Sequence, residues 1–451
     1  MLVFFPVHRK LLIQTFVLRQ EKKEIIMWSL IIIGLLVLFV ILGMPIYLAM
    51  GITSIVYMLI QDMSLMIVPQ VMGSAFREFV LLAIPLFMLA GKFMNTGGVT
   101  KRIFKFADDL VGHITGGLAQ VNVLLSIIFA GMSGSALADT AGLGEIEIKS
   151  MVDRGFDKNF AAAITSSSSS IGPIIPPSII MVIYGSIAGV SIAGLFLGGI
   201  IPGLLMGLGL MIINYFICKN RNYPKNDSRP GIKNLFKSFV YAIPPMLTPI
   251  IILGGIVLGI FTPTEAALIA SLYAFFLGFF IYKELTIKKT LKILLEVLKT
   301  TASIMIIIGF ASVFARILTQ QGVPQQIGSV LTSISSNPVV IILIINIFLL
   351  VLGCFMDVIA SLIAVTPMLL PVIDTLPISR LHFGVIIVLN LTIALNTPPM
   401  GASLFVATKI ADTKLEDTFR AMIPFLLVLI GVLFLITYFP VLVTYLPSVL
   451  M

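Results

Sequence analysis

The sequence predicts an all-α, polytopic membrane protein built from two inverted repeats, and three observations lead there. The first is composition: of 451 residues, 59% are hydrophobic and only 11% charged, where a soluble domain carries about 25% charged residues. The second is continuity. Apolar runs recur around 28–50, 79–94, 192–218, 239–261, 266–282, 300–315, 339–356 and 421–446, each long enough, or nearly so, to cross a hydrocarbon core of roughly 30 Å as a helix. None alternates at every second residue as a barrel strand would. The third is internal repetition. "LGMPIYLAMG" (42–51) matches "LGIFTPTEAA" (258–267), and "AGKFMNTGGV" (90–99) matches "FARILTQQGV" (314–323). Asp139 stands 218 residues before Asp357, and "IGPIIPPS" (171–178) meets "ALNTPPMG" (394–401), Pro-Pro on Pro-Pro. Four matches in one order, at offsets of 218 to 224, define halves at 27–217 and 239–451.

Charge orients these halves. The net charge of +9 is accounted for by cytoplasmic loops obeying the positive-inside rule, so no nucleic-acid partner is expected. Basic residues cluster at 101–105, 149–158, 219–237, 283–299 and 409–420, which together hold 20 of the 29 Lys and Arg. The stretches 185–192 and 319–338 hold no charge, and 62–78 holds one Arg with two acids; these belong outside. "CKNRNYPKNDSRPGIKNLFKS" (218–238) is therefore a basic cytoplasmic linker. The segment at about 113–158 has basic flanks at both ends and cannot cross, so "GMSGSALADTAG" is the tip of a re-entrant helical hairpin. Its counterpart, about 338–371, dips in from the other side. About eleven transmembrane helices and two hairpins fit, with both ends outside. Residues 1–26 hold five basic residues that break this rule, and are read as an N-terminal extension from a false start or, alternatively, as a surface helix.

Other chemistries find no support. Cys218 and Cys354 lie in or at the ends of apolar segments, which argues against a disulfide framework. His8, His113 and His382 have no metal-ligand spacing. No HExxH, nucleophile elbow or phosphate-cradling Gly-rich loop occurs, so no enzyme is expected.

The informative stretch is "TSSSSSIGPIIPPS" (165–178). Non-helical backbone at membrane depth survives only inside protein or against a polar cavity. A helix broken there offers carbonyls at one end and N–H groups at the next. The carbonyls and the hydroxyls of Ser166–Ser170 can replace water around a sodium ion, while the N–H ends suit a carboxylate. Gly172 permits close backbone approach, and Pro173, Pro176 and Pro177 remove donors and hold the break open. "LNTPPMG" (395–401) repeats the device with Asn396 and Thr397, and the tips at Gly131–Gly142 and Gly353–Ser361 point at the breaks. Taken alone, the serine run also suits close helix packing. Asp139 and Asp357 are either direct ion ligands or organisers of the tips, Asp139 standing where an N-cap would. Arg316 either meets a substrate carboxylate or snorkels outward. "KKTLKILLEVLKT" (288–300) is read as a surface amphipathic helix, and Glu145, Glu147 and Asp153 as solvated ends of the first hairpin.

"GMSGSALADTAGLGEIEIKSM", "SSSSIGPIIPPS" and "NLTIALNTPPMGASLFVAT" resemble the large membrane subunit of tripartite ATP-independent periplasmic (TRAP) transporters, over about 30 to 446. The resemblance implies a sodium-driven importer in the bacterial inner membrane, with scaffold and transport domains moving as an elevator. It implies a small organic acid, of the sialic acid or C4-dicarboxylate class, as substrate. It also implies two partners besides the lipid bilayer: a periplasmic substrate-binding protein and a small four-helix membrane subunit on a separate chain. Sodium is the coupling ion, and no further cofactor is expected. Carried over by position, one sodium site uses Ser133, Gly134, Ser135 and Asp139 with Ser168, Ser169 and Gly172. Another uses Gly353 and Asp357 with Asn396, Thr397 and Gly401. Substrate lies near Ser170, Pro176, Pro177, Arg316, Pro398 and Pro399. A stand-alone ion-coupled carrier or antiporter of the same architecture is the alternative.

Overall fold

The computed structural model describes residues 27–226 and 231–451, so the reading of residues 1–26 lies outside the described residues. The described secondary structure is helical throughout. Seven helices are long and apolar enough to cross a bilayer, and shorter apolar helices accompany them, as in a polytopic membrane protein.

The chain opens with α1 (Met27–Ile41), α2 (Ile46–Ile60) and α3 (Ile67–Phe76). The apolar run at 28–50 is thus not one span. Gly43 takes φ +81° and Pro45 cannot continue a helix, so the chain turns between α1 and α2. Then come α4 (Ala83–Thr96), α5 (Val99–Val111), α6 (Gly117–Ser133), α7 (Ala136–Gly142), α8 (Gly144–Asp153), α9 (Lys158–Ser169), α10 (Ile179–Ala188) and α11 (Ile192–Asn220). The second half runs α12 (Ile232–Val257), α13 (Pro263–Phe276), α14 (Ile287–Gln320), α15 (Val323–Ile334), α16 (Pro338–Phe355), α17 (Val358–Ile373), α18 (Arg380–Ala394), α19 (Ala402–Ala411), α20 (Leu415–Tyr438) and α21 (Val441–Leu450).

Two further expectations need correction. Residues 288–300 are not a separate surface helix; they are the first third of the 34-residue α14. No Gly or Pro interrupts the stretch before Gly309. At 1.5 Å per residue α14 is about 51 Å long, well beyond a core of roughly 30 Å, so its basic end projects past the apolar slab. The run at 421–446 is divided as well, because α20 ends before Pro440 and α21 starts after it.

The described chain forms two compact units. The smaller takes the residues up to Arg77, Met305–Ser336 and Ile363–Leu376; the larger takes Glu78–Ile304, Asn337–Leu362 and Pro377–Met451. In the smaller unit the Gln321 amide donates to the Tyr57 hydroxyl, and Gln326 Nε2 donates to Ser29 Oγ at 2.9 Å. In the larger unit α4 packs along α13, α5 along α12, and α9 between α19 and α20. Phe93, Met94, Ile103, Phe129 and Leu277 close a core there, joined by Ile293 and Val297 from α14. Glycines on α11 let backbone come close: a Cβ on Gly199 would lie 2.1 Å from the Ile174 carbonyl, and one on Gly203 2.3 Å from Ile175. The break between α9 and α10 therefore rests on a groove that larger residues would fill.

Candidate functional site

Both hairpin tips and both breaks of the candidate site belong to the larger unit. The first hairpin turns where α6 ends at Ser133. Gly134 adopts φ +62° and Ser135 caps α7, accepting from the Ala138 N–H at 3.4 Å. A Cβ on Gly134 would sit 2.5 Å from the Pro177 carbonyl, so the tip is pressed against the first break and glycine is required twice over. Asp139 lies one turn inside α7, only 3% exposed. The Ser133 hydroxyl donates to its Oδ1, while its Oδ2 has no protein partner. That oxygen faces Gly172, where a Cβ would stand 2.5 Å away.

The serine run joins the tip to the rest. Asp157 caps α9 by accepting from the Phe160 N–H at 2.9 Å, and the helix lasts until Ser169. Thr140 of α7 donates to Ser169 Oγ at 2.7 Å, and Ser169 donates back to the Ser166 carbonyl at 2.7 Å. Ser168 donates to Asn122 Oδ1 at 2.7 Å and accepts from Ser126 at 3.0 Å. After the break, Ser178 caps α10 by accepting from Met181 N–H at 3.2 Å.

In the second half α16 ends at Phe355, Met356 is extended, and Asp357 stands at the start of α17. Asp357 Oδ1 accepts from the N–H groups of Ile359 (2.9 Å) and Ala360 (3.4 Å). The Cys354 carbonyl accepts from Met400 N–H at 3.1 Å, so this tip also touches its own break. A Cβ on Gly353 would lie 2.5 Å from Ala394 Cβ. Gly401 N–H donates to the Thr397 carbonyl at 3.2 Å. Both Pro–Pro bonds, Pro176–Pro177 and Pro398–Pro399, are cis.

The two breaks meet directly. The Ser166 hydroxyl donates to Asn396 Oδ1 at 2.7 Å, and Asn396 Nδ2 donates to Ser170 Oγ at 2.5 Å. All three side chains are fully buried. A single amide thus uses its acceptor and one donor to tie residues 230 and 226 positions away. Broken helix ends, many neutral oxygens and one carboxylate with a free oxygen form a donor set suited to a hard alkali cation. Among the described residues no group of three or more His, Cys, Asp or Glu gathers as a transition-metal site would require.

The structure therefore brings together Ser133, Gly134, Ser135, Asp139, Ser168, Ser169, Ser170, Gly172 and Asn396. It gathers Gly353, Asp357, Thr397, Gly401, Pro398 and Pro399 around the second tip and break. Arg316 lies on the part of α14 within the smaller unit, with an exposed side chain. Asp139 is not at a cap; Ser135 is, because the helix begins at Ala136. Glu145 and Asp153 are exposed, but Glu147 is only 2% exposed and accepts from Asn122 Nδ2 at 2.7 Å. Its helical position sets it on the same inward face as Gly144, Ile148 and Met151. Residues that sequence reasoning passed over are Asn122, Ser126 and Thr140, and Glu147, read as solvated, is buried. The signal was polar residues four apart, Asn122 and Ser126, inside an otherwise apolar hairpin arm.

A multi-pass helical membrane protein with two helical hairpins packed on two helix breaks suits a membrane carrier, and the comparisons place the chain in a family of transporters. Residues 33–442 match the family described as "Tripartite ATP-independent periplasmic transporter, DctM component", and the chain belongs to that family. It is 43% identical over 410 residues to the sialic acid TRAP transporter large permease protein SiaM of Vibrio cholerae, covering 90% of this chain and 95% of that one. It is 40% identical to the C4-dicarboxylate TRAP transporter large permease protein DctM of Pseudomonas aeruginosa, covering 82% and 87%. The YdaH transporter of Alcanivorax borkumensis shares the fold at TM-score 0.56 and 13% identity, over 81% of this chain and 86% of that one. The chain is a transporter permease subunit, not an enzyme.

Proposed function

We propose that this permease imports a small organic acid across the bacterial inner membrane, driven by sodium and supplied by a periplasmic substrate-binding protein. The substrate is of the sialic acid or C4-dicarboxylate class, as in the relatives from Vibrio cholerae and Pseudomonas aeruginosa. A small four-helix membrane subunit completes the assembly. The halves 27–217 and 239–451 are inverted repeats with eleven spans and two hairpins, and the hairpins with their breaks move as the transport domain of an elevator. One sodium site uses Ser133–Ser135, Asp139, Ser168, Ser169 and Gly172; the other lies among Gly353, Asp357, Asn396, Thr397 and Gly401, where Asp357 organises the tip and Asn396 joins the breaks. Substrate lies between the breaks, near Ser170, Pro176, Pro177, Pro398 and Pro399.

The observation that carries this reading is the joint between the breaks, Ser166–Asn396–Ser170, with the free oxygen of Asp139 beside Gly172. A cation there neutralises a buried carboxylate that no basic side chain among the described residues meets, which is what couples ion binding to movement through the membrane. The test is uptake into proteoliposomes holding this chain and its small subunit, with labelled sialic acid and C4-dicarboxylates. Uptake is expected only with an inward sodium gradient and the cognate binding protein together. Uptake with sodium alone overturns the dependence on a binding protein, and uptake without sodium overturns the coupling ion.

A further inference from the structure

Glu147 takes no part in the sites proposed above, yet it is buried as deeply as Asp139. Its Oε2 accepts from Asn122 Nδ2 at 2.7 Å, and its Oε1 has no protein partner. Asn122 cannot turn to help. It also donates to Thr165 Oγ1 at 2.8 Å and accepts from Ser168 at 2.7 Å, and Ser168 accepts in turn from Ser126. These bonds fix the amide in one orientation and commit the surrounding oxygens to one another.

Among the described residues no basic side chain forms an ion pair with Glu147. Four helices pack against α8: α6, α7, α9 and α19. Helix α6 has no titratable residue, α7 brings only the buried Asp139, and the lysines of α9 (Lys158) and α19 (Lys409) are exposed. On α8 itself Glu145, Lys149 and Asp153 are exposed. An isolated charged carboxylate in such surroundings is costly and is neutralised by a cation or by a proton. An alkali ion needs several free oxygens, and the carboxylate itself offers one without a partner, Oε1. A proton needs only that one.

We propose that Glu147 is a proton-binding site in the arm of the first hairpin, distinct from Asp139 and occupied at neutral pH. The proton comes from bulk water onto Oε1 and returns there on release, while Oε2 keeps its bond from Asn122. Two charged carboxylates on one hairpin would repel each other. With the proton on Glu147, Asp139 is the only charge of the hairpin core, and a single cation neutralises it.

The test is infrared spectroscopy of the full chain in lipid vesicles, titrated from acid to alkaline pH in light and heavy water. It reads the proton without any transport, so its outcome is separate from that of the uptake experiment. A protonated-carboxyl stretch that persists at neutral pH is expected, absent from Glu147→Gln and retained in Asp139→Asn. Should Glu147→Gln not fold, Glu147→Asp is expected to shift the band. No such band in the unaltered chain at neutral pH, or a band unchanged by the Glu147 substitutions, overturns the proposal.

Discussion

The two hairpins share a backbone plan and place their charge differently. Aligned on their helix starts, Gly131 falls on Gly353, Ser135 on Asp357, Asp139 on Ser361, and Pro176–Pro177 on Pro398–Pro399, every pair 222 apart. In the first hairpin a serine caps the helix and an aspartate lies one turn within. In the second an aspartate caps and a serine lies one turn within. The inner residues are both buried, and both leave an oxygen without a partner: Asp139 Oδ2 and Ser361 Oγ. The outer residues differ in exposure, Ser135 being half-buried and Asp357 exposed. A tip is thus specified by either kind of cap, and the position one turn inside decides whether that tip buries a charge. The first hairpin is the electrostatic half of the proposed cation chemistry, and the second offers neutral oxygens.

The largest expected effect tests that division. Asp139→Asn should lower sodium-driven uptake by about 100-fold, since losing a buried, hydrogen-bonded charge is worth roughly 3 kcal/mol. Ser361→Ala, at the equivalent place, should stay within about threefold of the unaltered chain, a neutral hydroxyl being worth roughly 0.6 kcal/mol. Sodium titrations of uptake in proteoliposomes would measure both. Equal losses at the two positions would erase the distinction between the hairpins.

Next in size is Gly172→Ala. The added Cβ would meet Asp139 Oδ2 at 2.5 Å, so the carboxylate must leave the place where it accepts from Ser133. A drop in sodium affinity of about tenfold is expected, corresponding to about 1.4 kcal/mol. In the second half this position is already Ala394, and its neighbour is Gly353 rather than a carboxylate. Ala394→Gly should therefore leave sodium affinity unchanged and reduce stability by about 1 kcal/mol, the cost of glycine in a helix. A sodium-affinity loss at Ala394 would mean that the second break carries more of the ion site than proposed.

A smaller effect belongs to the joint itself. Asn396→Ala removes two interhelical bonds, each worth about 0.6 kcal/mol in membrane proteins. A lowered midpoint in thermal unfolding is expected, with sodium affinity and maximal rate reduced together. Loss of affinity alone would show that Asn396 ligates the ion and does not merely join the breaks.

Much of this arrangement is legible in the sequence. Continuous apolar runs reveal a polytopic helical protein, and glycine, proline and hydroxyl residues where a span should be unbroken mark both breaks and both tips. Three things escape for a physical reason. The continuity of α14 through residues 288–300 is hidden because charge and amphipathicity describe which face is wet, not where a helix stops. The inward turn of Glu147 is hidden because acidic residues near a hairpin end are ordinarily solvated, and only the packing of α8 on α6 and α9 shows which of Glu145, Glu147 and Asp153 faces in. The pairing of Asp139 with Asp357 rests on identical residues 218 apart, whereas the helix starts of the two hairpins, Ala136 and Val358, are 222 apart. Side-chain identity was the weaker guide to equivalence than the position of the cap.

The smallest expected effect tests that last point at Asp357. Its carboxylate is exposed and its Oδ1 is spent on the N–H groups of Ile359 and Ala360, a structural duty that serine can perform as Ser135 does in the first tip. Asp357→Ser should leave sodium-driven uptake nearly unchanged, and Asp357→Ala should cost about 1 kcal/mol through loss of the cap. Read as sodium affinity, that is a change of about fivefold. The contrast with Asp139 lies in how each responds to a neutral hydrogen-bonding replacement. If Asp357→Ser abolished uptake as completely as Asp139→Asn, the charge at the second tip would be an ion ligand in its own right. The hairpins would then be electrostatic equals despite their exchanged positions, and the cap would be the lesser of Asp357's two duties.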